Sequence, residues 1–147
     1  MPRPLTEPER QAFLAEPRVG VLSVAADDGR PPTAIPVWYH YEPGGDLSFF
    51  AHSQGRKTGL IEKTGALSFV VQHDEPPYKY VTVEGTVVRT DRPPSADQLL
   101  AIARRYLPEG QAEGYVASEL ENSGPDLVLF AIRPDRWLTF DFDDEAG

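Results

Sequence analysis

The chain has 147 residues, of which 40% are hydrophobic and 25% charged, a composition typical of one globular domain rather than of a disordered chain. A net charge of −9 argues against a broad nucleic-acid-binding surface, and the absence of cysteine excludes disulfides, thiolate metal sites and cysteine nucleophiles. Because the sequence has neither an apolar leader nor a run of about 18 apolar residues, it predicts a cytoplasmic protein that does not bind membranes.

Proline and glycine divide the chain into short segments, which favours strands and turns over a helical bundle. In chain order, the predicted elements are a helix (5–15), strands (19–26, 33–41 and 46–51), a helix (56–63), strands (66–73 and 78–89), helices (95–107 and 111–121) and strands (127–132 and 137–142). Short antiparallel strands with helices between them predict a small β-barrel, since closure protects the sheet edges. Pro36 lies inside a predicted strand and cannot donate to a ladder, so that strand is expected to be bulged, bent or at a sheet edge there, and a ligand could occupy the gap.

No repeat or linker divides the chain, so residues 1–147 are predicted to form a single domain. Its predicted parts are an N-terminal helix (5–15), core strands with one helix (19–90), a helical segment (95–121) and closing strands (126–142). The acidic end, Asp141 to Gly147, is expected to be frayed.

A pair of cations opens the predicted helix at 56–63. Arg56 and Lys57 lie at a helix N-terminus, where the helix dipole is already positive and favours an anion. A phosphate could bind the free N–H groups there together with both cations and the hydroxyl of Ser53. The alternative is that both basic side chains extend into solvent, and the sequence favours the anion site only because lysine is scarce.

Other chemical signatures are missing from the sequence. It contains no phosphate-binding glycine loop, hydrolase elbow or zincin motif. His40, His52 and His73 are not spaced as metal ligands, and the triplet that begins at His73 reads as a loop, so no metal is predicted.

Two segments, LSFFAHSQGRKTGLIEKTGALSFVVQ and YKYVTVEGTVV, resemble the flavin-binding split barrel of the pyridoxamine 5′-phosphate oxidase-like superfamily. That superfamily includes reductases that depend on the deazaflavin F420. The resemblance extends from about Val19 to Val88 and rests on the order of strand, Ser/Arg/Lys loop, short helix and two strands. It implies a mainly β fold, a six-stranded antiparallel Greek-key split barrel of the FMN-binding type.

The resemblance also implies which residues bind the cofactor. These are Arg56 and Lys57 with Ser53 at the phosphate, Phe50, Ala51 and Tyr80 beside the flavin, and Ile35, Pro36, Val37 and Trp38 along its ring. From the residues alone, Trp38 and Tyr78 fit packing in a barrel core or dimer interface as well as they fit a stacking surface for the cofactor.

The function implied by the resemblance is hydride transfer between FMN or F420 and a small organic substrate, in a homodimer with the cofactor at its interface. The chain ends in RWLTFDFDDEAG where the true oxidases have an Arg/His-rich segment, so oxidation of pyridoxamine phosphate itself is not expected. No catalytic residue is assigned, although Tyr80, His73 and Glu84 are candidate proton donors. The alternatives are a non-catalytic carrier or sensor of FMN or haem, and an interaction module without a cofactor.

Overall fold

In the computed structural model, which describes residues 2–143, the chain forms seven strands and four α-helices. The strands are β1 (Gly20–Val24), β2 (Thr33–Val37), β3 (His40–Tyr41), β4 (Leu47–His52), β5 (Ala66–Gln72), β6 (Lys79–Asp91) and β7 (Leu127–Asp141). The helices are α1 (Glu7–Ala15), α2 (Arg56–Thr64), α3 (Ala96–Ala103) and α4 (Gln111–Ser123), and a short 3-10 turn (Gly124–Asp126) follows α4.

All seven strands belong to one antiparallel sheet with the order β2-β1-β5-β6-β7-β4-β3. Its edge strands, β2 and β3, are separated by Trp38 and Tyr39 alone, so the sheet must curl until its two edges approach each other. The order β5-β6-β7-β4 is a Greek key. The mainly β barrel expected from the sequence is confirmed, with seven strands in place of the six that the resemblance implies. The strand predicted at 33–41 is broken into β2 and β3, and the two strands predicted at 127–132 and 137–142 are one strand, β7.

The inner face of the curled sheet holds the main core. Alternate residues of each strand are buried, as in β5, where Leu67, Phe69 and Val71 point inward. The largest side chains of this core are Tyr39, Phe49, Phe69 and Phe130, all fully buried. Helix α1 packs against the same core through Phe13 and Leu14.

A second, smaller core lies under helices α3 and α4. It contains Leu99, Ala103, Ala112, Val116 and Leu127, with Phe50, Leu100, Leu107, Tyr115 and Leu120 packed around them. Phe50 comes from β4 and Leu127 from β7, so this cluster attaches the two helices to the barrel. The helices therefore form a side wall of the barrel next to the end of β4.

The end of the chain differs from the sequence expectation at Pro134. The two closing strands predicted at 127–132 and 137–142 are one continuous strand, β7, with a register irregularity opposite Glu84 and Gly85. β7 can continue through Pro134 because its ladder with β4 ends at Ile132. The missing N–H of Pro134 therefore removes no hydrogen bond from the β4–β7 ladder. Gly85 is required opposite the irregularity, since a Cβ there would lie 2.7 Å from the carbonyl oxygen of Arg133.

Smaller differences concern element ends. Helix α3 stops at Ala103 rather than at 107, and α4 continues to Ser123 rather than to 121. Asp141 is the last residue of β7, where its main chain pairs with Arg3, so the prediction of a frayed tail is wrong for Asp141. Residues 144–147 of that tail lie outside the described residues.

No helix between residues 2 and 143 is both long enough and apolar enough to cross a membrane.

Candidate functional site

A break between β2 and β3 is the starting point of the site. Tyr39 turns into the core, where its hydroxyl donates to the carbonyl of Leu14 at 2.7 Å. The hydroxyl of Tyr106, from the segment after α3, accepts the N–H of Tyr39 at 3.2 Å and donates to the carbonyl of Arg18 at 2.7 Å. Tyr106 thus supplies a polar partner at the break, and the ring of Trp38 stacks on it with centroids 5.0 Å apart and planes at 6°.

A cleft of about 380 Å³ opens beside this break. Its lining combines apolar and aromatic side chains with a single charged group: Val19, Pro36, Val37, Trp38, Phe50, Lys57 and Tyr115. Both its size and its mostly apolar lining are typical of small-molecule sites. The structure therefore brings together five of the residues that the resemblance implies for cofactor binding, namely Pro36, Val37, Trp38, Phe50 and Lys57.

Lys57 is the charged group of the cleft. Its side chain is half-buried, and within residues 2–143 it forms neither an ion pair nor a side-chain hydrogen bond. Burial lowers the pKa of Lys57, because the neighbouring protein stabilises its ammonium less well than water does. The other two lysines have partners: Lys63 lies 2.7 Å from Asp27, and Lys79 lies over the ring of Phe13.

Helix α2 begins without the groups that usually satisfy a helix N-terminus. Its N-cap is Gly55, which has no side chain to offer, and the first turn contains no acidic residue. Among the described residues, no main-chain oxygen outside the helix accepts the N–H groups of Arg56, Lys57 or Thr58. The ammonium of Lys57 and these N–H groups are the donors that a phosphate binds, so the site fits such a group.

Arg56 and Ser53 lie beside the cleft rather than on its wall. The guanidinium of Arg56 is exposed and contacts the carboxylate of Asp28, in the β1–β2 turn, at 3.4 Å. The N–H of Ser53 donates to the carbonyl of Asp126, which fixes the loop that leads into α2. Arg56 would have to leave Asp28 in order to bind an anion with Lys57.

The remaining predicted residues lie elsewhere in the barrel. Ile35 packs against the main core, and Ala51 is buried inside it. Tyr80 is opposite Phe140 on β7, and its ring lies 6.4 Å from that of Phe142. Neither Tyr80 nor the other two candidate proton donors belong to the cleft lining: the imidazole Nδ1 of His73 is 2.6 Å from the carbonyl of Glu75, and Glu84 faces Arg136.

Two aromatic residues of the site could not be found from the sequence. Tyr115 lines the cleft from α4, and its ring centroid lies 5.5 Å from that of Trp38. Tyr106 stacks on the ring of Trp38 without lining the cleft itself. Both lie about 70 residues beyond Trp38 along the chain and have the spacing of an ordinary apolar helix face, so no local signal marks them.

Between residues 2 and 143, no cluster of three or more His, Asp and Glu residues could hold a metal ion.

A family model described as pyridoxamine 5′-phosphate oxidase matches residues 6–141, which is nearly the whole chain. The chain belongs to the pyridoxamine 5′-phosphate oxidase family. This membership confirms the resemblance seen in the sequence, and the match includes every residue of the cleft. A search of curated proteins finds no match to the sequence.

Solved structures agree with the fold of this family. An F420 reductase is 24% identical with a TM-score of 0.71, over 87% of this chain and 94% of that one. A conserved hypothetical protein from Mycobacterium tuberculosis is 17% identical, with a TM-score of 0.73 over 97% of this chain and 89% of that one. A FAD-binding protein from Mesorhizobium loti is 22% identical, with a TM-score of 0.63 over 96% of each chain. At these identities the similarity establishes the fold alone.

Proposed function

We propose that the protein is an oxidoreductase that binds FMN or F420 in the cleft and transfers a hydride to or from a small organic substrate. The observation that carries the proposal is Lys57, a half-buried cation without an ionic partner among residues 2–143, at an uncapped helix N-terminus beside an aromatic cleft. A cation in this position costs stability unless an anion binds it. The names of two structural neighbours, an F420 reductase and a FAD-binding protein, support a cofactor of the flavin type.

The side chains of the cleft have separate roles in this proposal. Lys57 and the first N–H groups of α2 hold the phosphate, and Arg56 joins them when it leaves Asp28. Pro36, Val37 and Phe50 exclude water from one side of the planar ring, while Trp38 gives it an aromatic surface. The bound cofactor supplies the hydride chemistry, and the protein supplies binding, orientation and protection from solvent.

Titration of the cofactor-free protein with FMN, F420 and riboflavin tests the phosphate site. Lys57→Met should weaken FMN or F420 binding by about 10- to 100-fold, the range expected for a lost charge-assisted contact of roughly 1.5–3 kcal/mol. It should leave the affinity for riboflavin, which has no phosphate, unchanged within about twofold. Lys63→Met is the matched control, because it removes the same charge from the exposed side of the same helix.

Two results would contradict the assignment. Equal affinity of Lys57→Met and the parent protein for the phosphorylated cofactor would place the phosphate elsewhere. Equal losses for FMN and riboflavin would show that Lys57 supports the cleft rather than the phosphate. Turnover is measured separately, by reducing the bound cofactor and following its reoxidation by planar organic acceptors; binding without any turnover would favour a carrier.

The outer face of the sheet supports a homodimer as part of the proposal. Val21, Val70, Thr82 and Leu138 are neighbours in register across β1, β5, β6 and β7 and alternate with buried residues. The two ends of this row are well exposed, Val21 to 37% and Leu138 to 46%. The row lies next to the exposed cleft residue Val19, so an apolar surface continues from the cleft onto the sheet.

A second copy of the chain suits this surface because two apolar rows can face each other across a two-fold axis. Sedimentation equilibrium should find a dimer for the parent protein and weaker association for Val21→Lys and Leu138→Lys. Val88→Lys is the control, since Val88 is equally exposed (44%) but lies at the irregularity of β6 beyond the row. A monomeric parent protein would contradict the dimer, and equal effects of all three variants would contradict the assignment of this row as its interface.

A further inference from the structure

Tyr115 is the one residue that the α3–α4 side wall contributes to the cleft lining. Its ring is half-buried between the small helical core and the cleft, and it is tilted by 50° to the ring of Trp38. Val116, the next residue, is buried in that core and fixes the orientation of this turn of α4. The position of the Tyr115 ring is therefore set by helix packing and not by a loop.

The hydroxyl of Tyr115 differs from those of the neighbouring tyrosines. Tyr39 and Tyr106 both use their hydroxyls to bind main-chain carbonyls, whereas the hydroxyl of Tyr115 makes no hydrogen bond to any residue between 2 and 143. Partly buried tyrosine hydroxyls usually have a partner. Burial and the carboxylate of Glu119 raise the pKa of Tyr115, so the phenol keeps its proton at neutral pH and is a hydrogen-bond donor.

The rest of the cleft offers little to recognise the polar edge of a ring. Apart from Lys57, which is at the helix N-terminus, the lining is Val19, Pro36, Val37 and aromatic rings. Pro36 has no N–H to donate. A flavin or deazaflavin ring has carbonyl oxygens and nitrogens along one edge and a flat apolar body. The chemistry of the cleft therefore matches the body of such a ring, and apart from Lys57 its side-chain donors for the edge are the indole N–H of Trp38 and the hydroxyl of Tyr115.

We propose that Tyr115 is a specificity-determining residue, whose hydroxyl donates a hydrogen bond to a carbonyl oxygen or nitrogen of the planar ring while its own ring forms the side wall of the cleft. The proposal rests on the proposed function, because it takes the occupant of the cleft to be a flavin-type ring. It assigns two recognition tasks to two elements: α2 binds the phosphate through Lys57, and α4 binds the ring through Tyr115.

The test compares Tyr115→Phe, which removes only the hydroxyl, with Tyr115→Ala, which also removes the wall. Gly114→Ala is the control on the same helix, because a Cβ at Gly114 meets no atom within 4 Å. Each protein is titrated with FMN, F420 and riboflavin, and the visible absorption band of the bound ring is recorded. Tyr115→Phe should weaken binding of each compound that the parent protein binds, the phosphate-free riboflavin included, by about five- to tenfold.

The hydroxyl should also shift the absorption band, so Tyr115→Phe should move the band of the bound ring while Gly114→Ala leaves both band and affinity unchanged. Tyr115→Ala should weaken binding further than Tyr115→Phe. An unchanged affinity and band in Tyr115→Phe, together with the expected loss in Lys57→Met, would overturn the role of Tyr115 and leave the proposed function intact. Failure of the parent protein to bind any of the three compounds would overturn both proposals.

Discussion

The hydroxyl of Tyr106 offers a sharp test of how the strand break is stabilised. Tyr106→Phe keeps the ring that supports Trp38 but leaves the N–H of Tyr39 without its acceptor and the carbonyl of Arg18 without its donor. An unsatisfied buried group costs about 1–3 kcal/mol, and the carbonyl of Arg18 is only partly buried, so we expect a total loss of about 2–3 kcal/mol. For a chain of this length that lowers Tm by roughly 5–10 °C.

Urea unfolding followed by circular dichroism, at one fixed protein concentration, measures this loss. The control is Tyr78→Phe: Tyr78 is 52% exposed and its hydroxyl has no partner among residues 2–143, so the change should be below about 0.5 kcal/mol. Because the stack on Trp38 survives in Tyr106→Phe, cofactor affinity should change by less than about twofold. Equal unfolding midpoints for Tyr106→Phe and the parent protein would refute the role given to the hydroxyl at the break.

Three further predictions concern other parts of the site and the barrel. Gly85→Ala should destabilise the protein by at least about 1–3 kcal/mol in urea unfolding, since its Cβ would lie 2.5 Å from the Ile132 side chain; an unchanged midpoint would show that β7 can move away. Lys57→Met should stabilise the cofactor-free protein at pH 7, because it removes a half-buried charge. This difference in unfolding free energy should shrink as the pH rises from the lowered pKa of Lys57 to the ordinary lysine pKa of 10.5, because the folded parent protein then loses that charge. A variant less stable than the parent at pH 7 would contradict the placement of an unpartnered cation at this position. Asp28→Asn should strengthen binding of the phosphorylated cofactor by about two- to fivefold by freeing Arg56 from an exposed ion pair, and weaker binding would assign Asp28 a supporting role.

Local signals in the sequence predicted the helix starts well. Thr6 with Glu9 and Ser95 with Gln98 form the capping boxes expected from their spacing of three residues. Both boxes depend on groups within one turn of helix, so no distant contact is needed to read them. The ends of the same helices were less predictable, because α3 stops where the chain turns to place Tyr106 at the strand break.

The error at the chain end has a non-local cause. Arg133, Pro134 and Asp135 have the composition of a turn, and the sequence alone predicts a hairpin there. The strand continues instead because β6 pairs along its whole length, and the backbone irregularity is accommodated opposite Gly85 on that neighbouring strand. Which glycine faces which proline depends on the strand register, and that is fixed only by the assembled sheet.

The candidate site was predicted on its strand side and missed on its helix side. Pro36 predicted a bulge, a bend or a sheet edge, and the structure has the edge: β2 is an edge strand in which Pro36 still pairs with Val21. The break comes two residues later, at Trp38, beside the cleft. The cationic pair was also visible at a helix start, but its two members have different surroundings: Arg56 pairs with Asp28, and Lys57 faces the cleft. Tyr115 belongs to the site only because α4 packs against β4 and β7 through the second core.

The distribution of charge explains how a protein with a net charge of −9 can offer an anion site. In the part of the chain that the structure describes, nine of the 14 basic side chains form ion pairs with acidic neighbours, mostly at the exposed surface, where they contribute little attraction for a distant anion. Within residues 2–143, Lys57 is the one lysine that has neither an acidic partner nor an aromatic ring beneath it. Because it is also half-buried, salt screens its attraction for a phosphate less than it screens the surface pairs. The proposed anion site therefore depends on one desolvated position, and the acidic surface around it opposes the approach of larger polyanions.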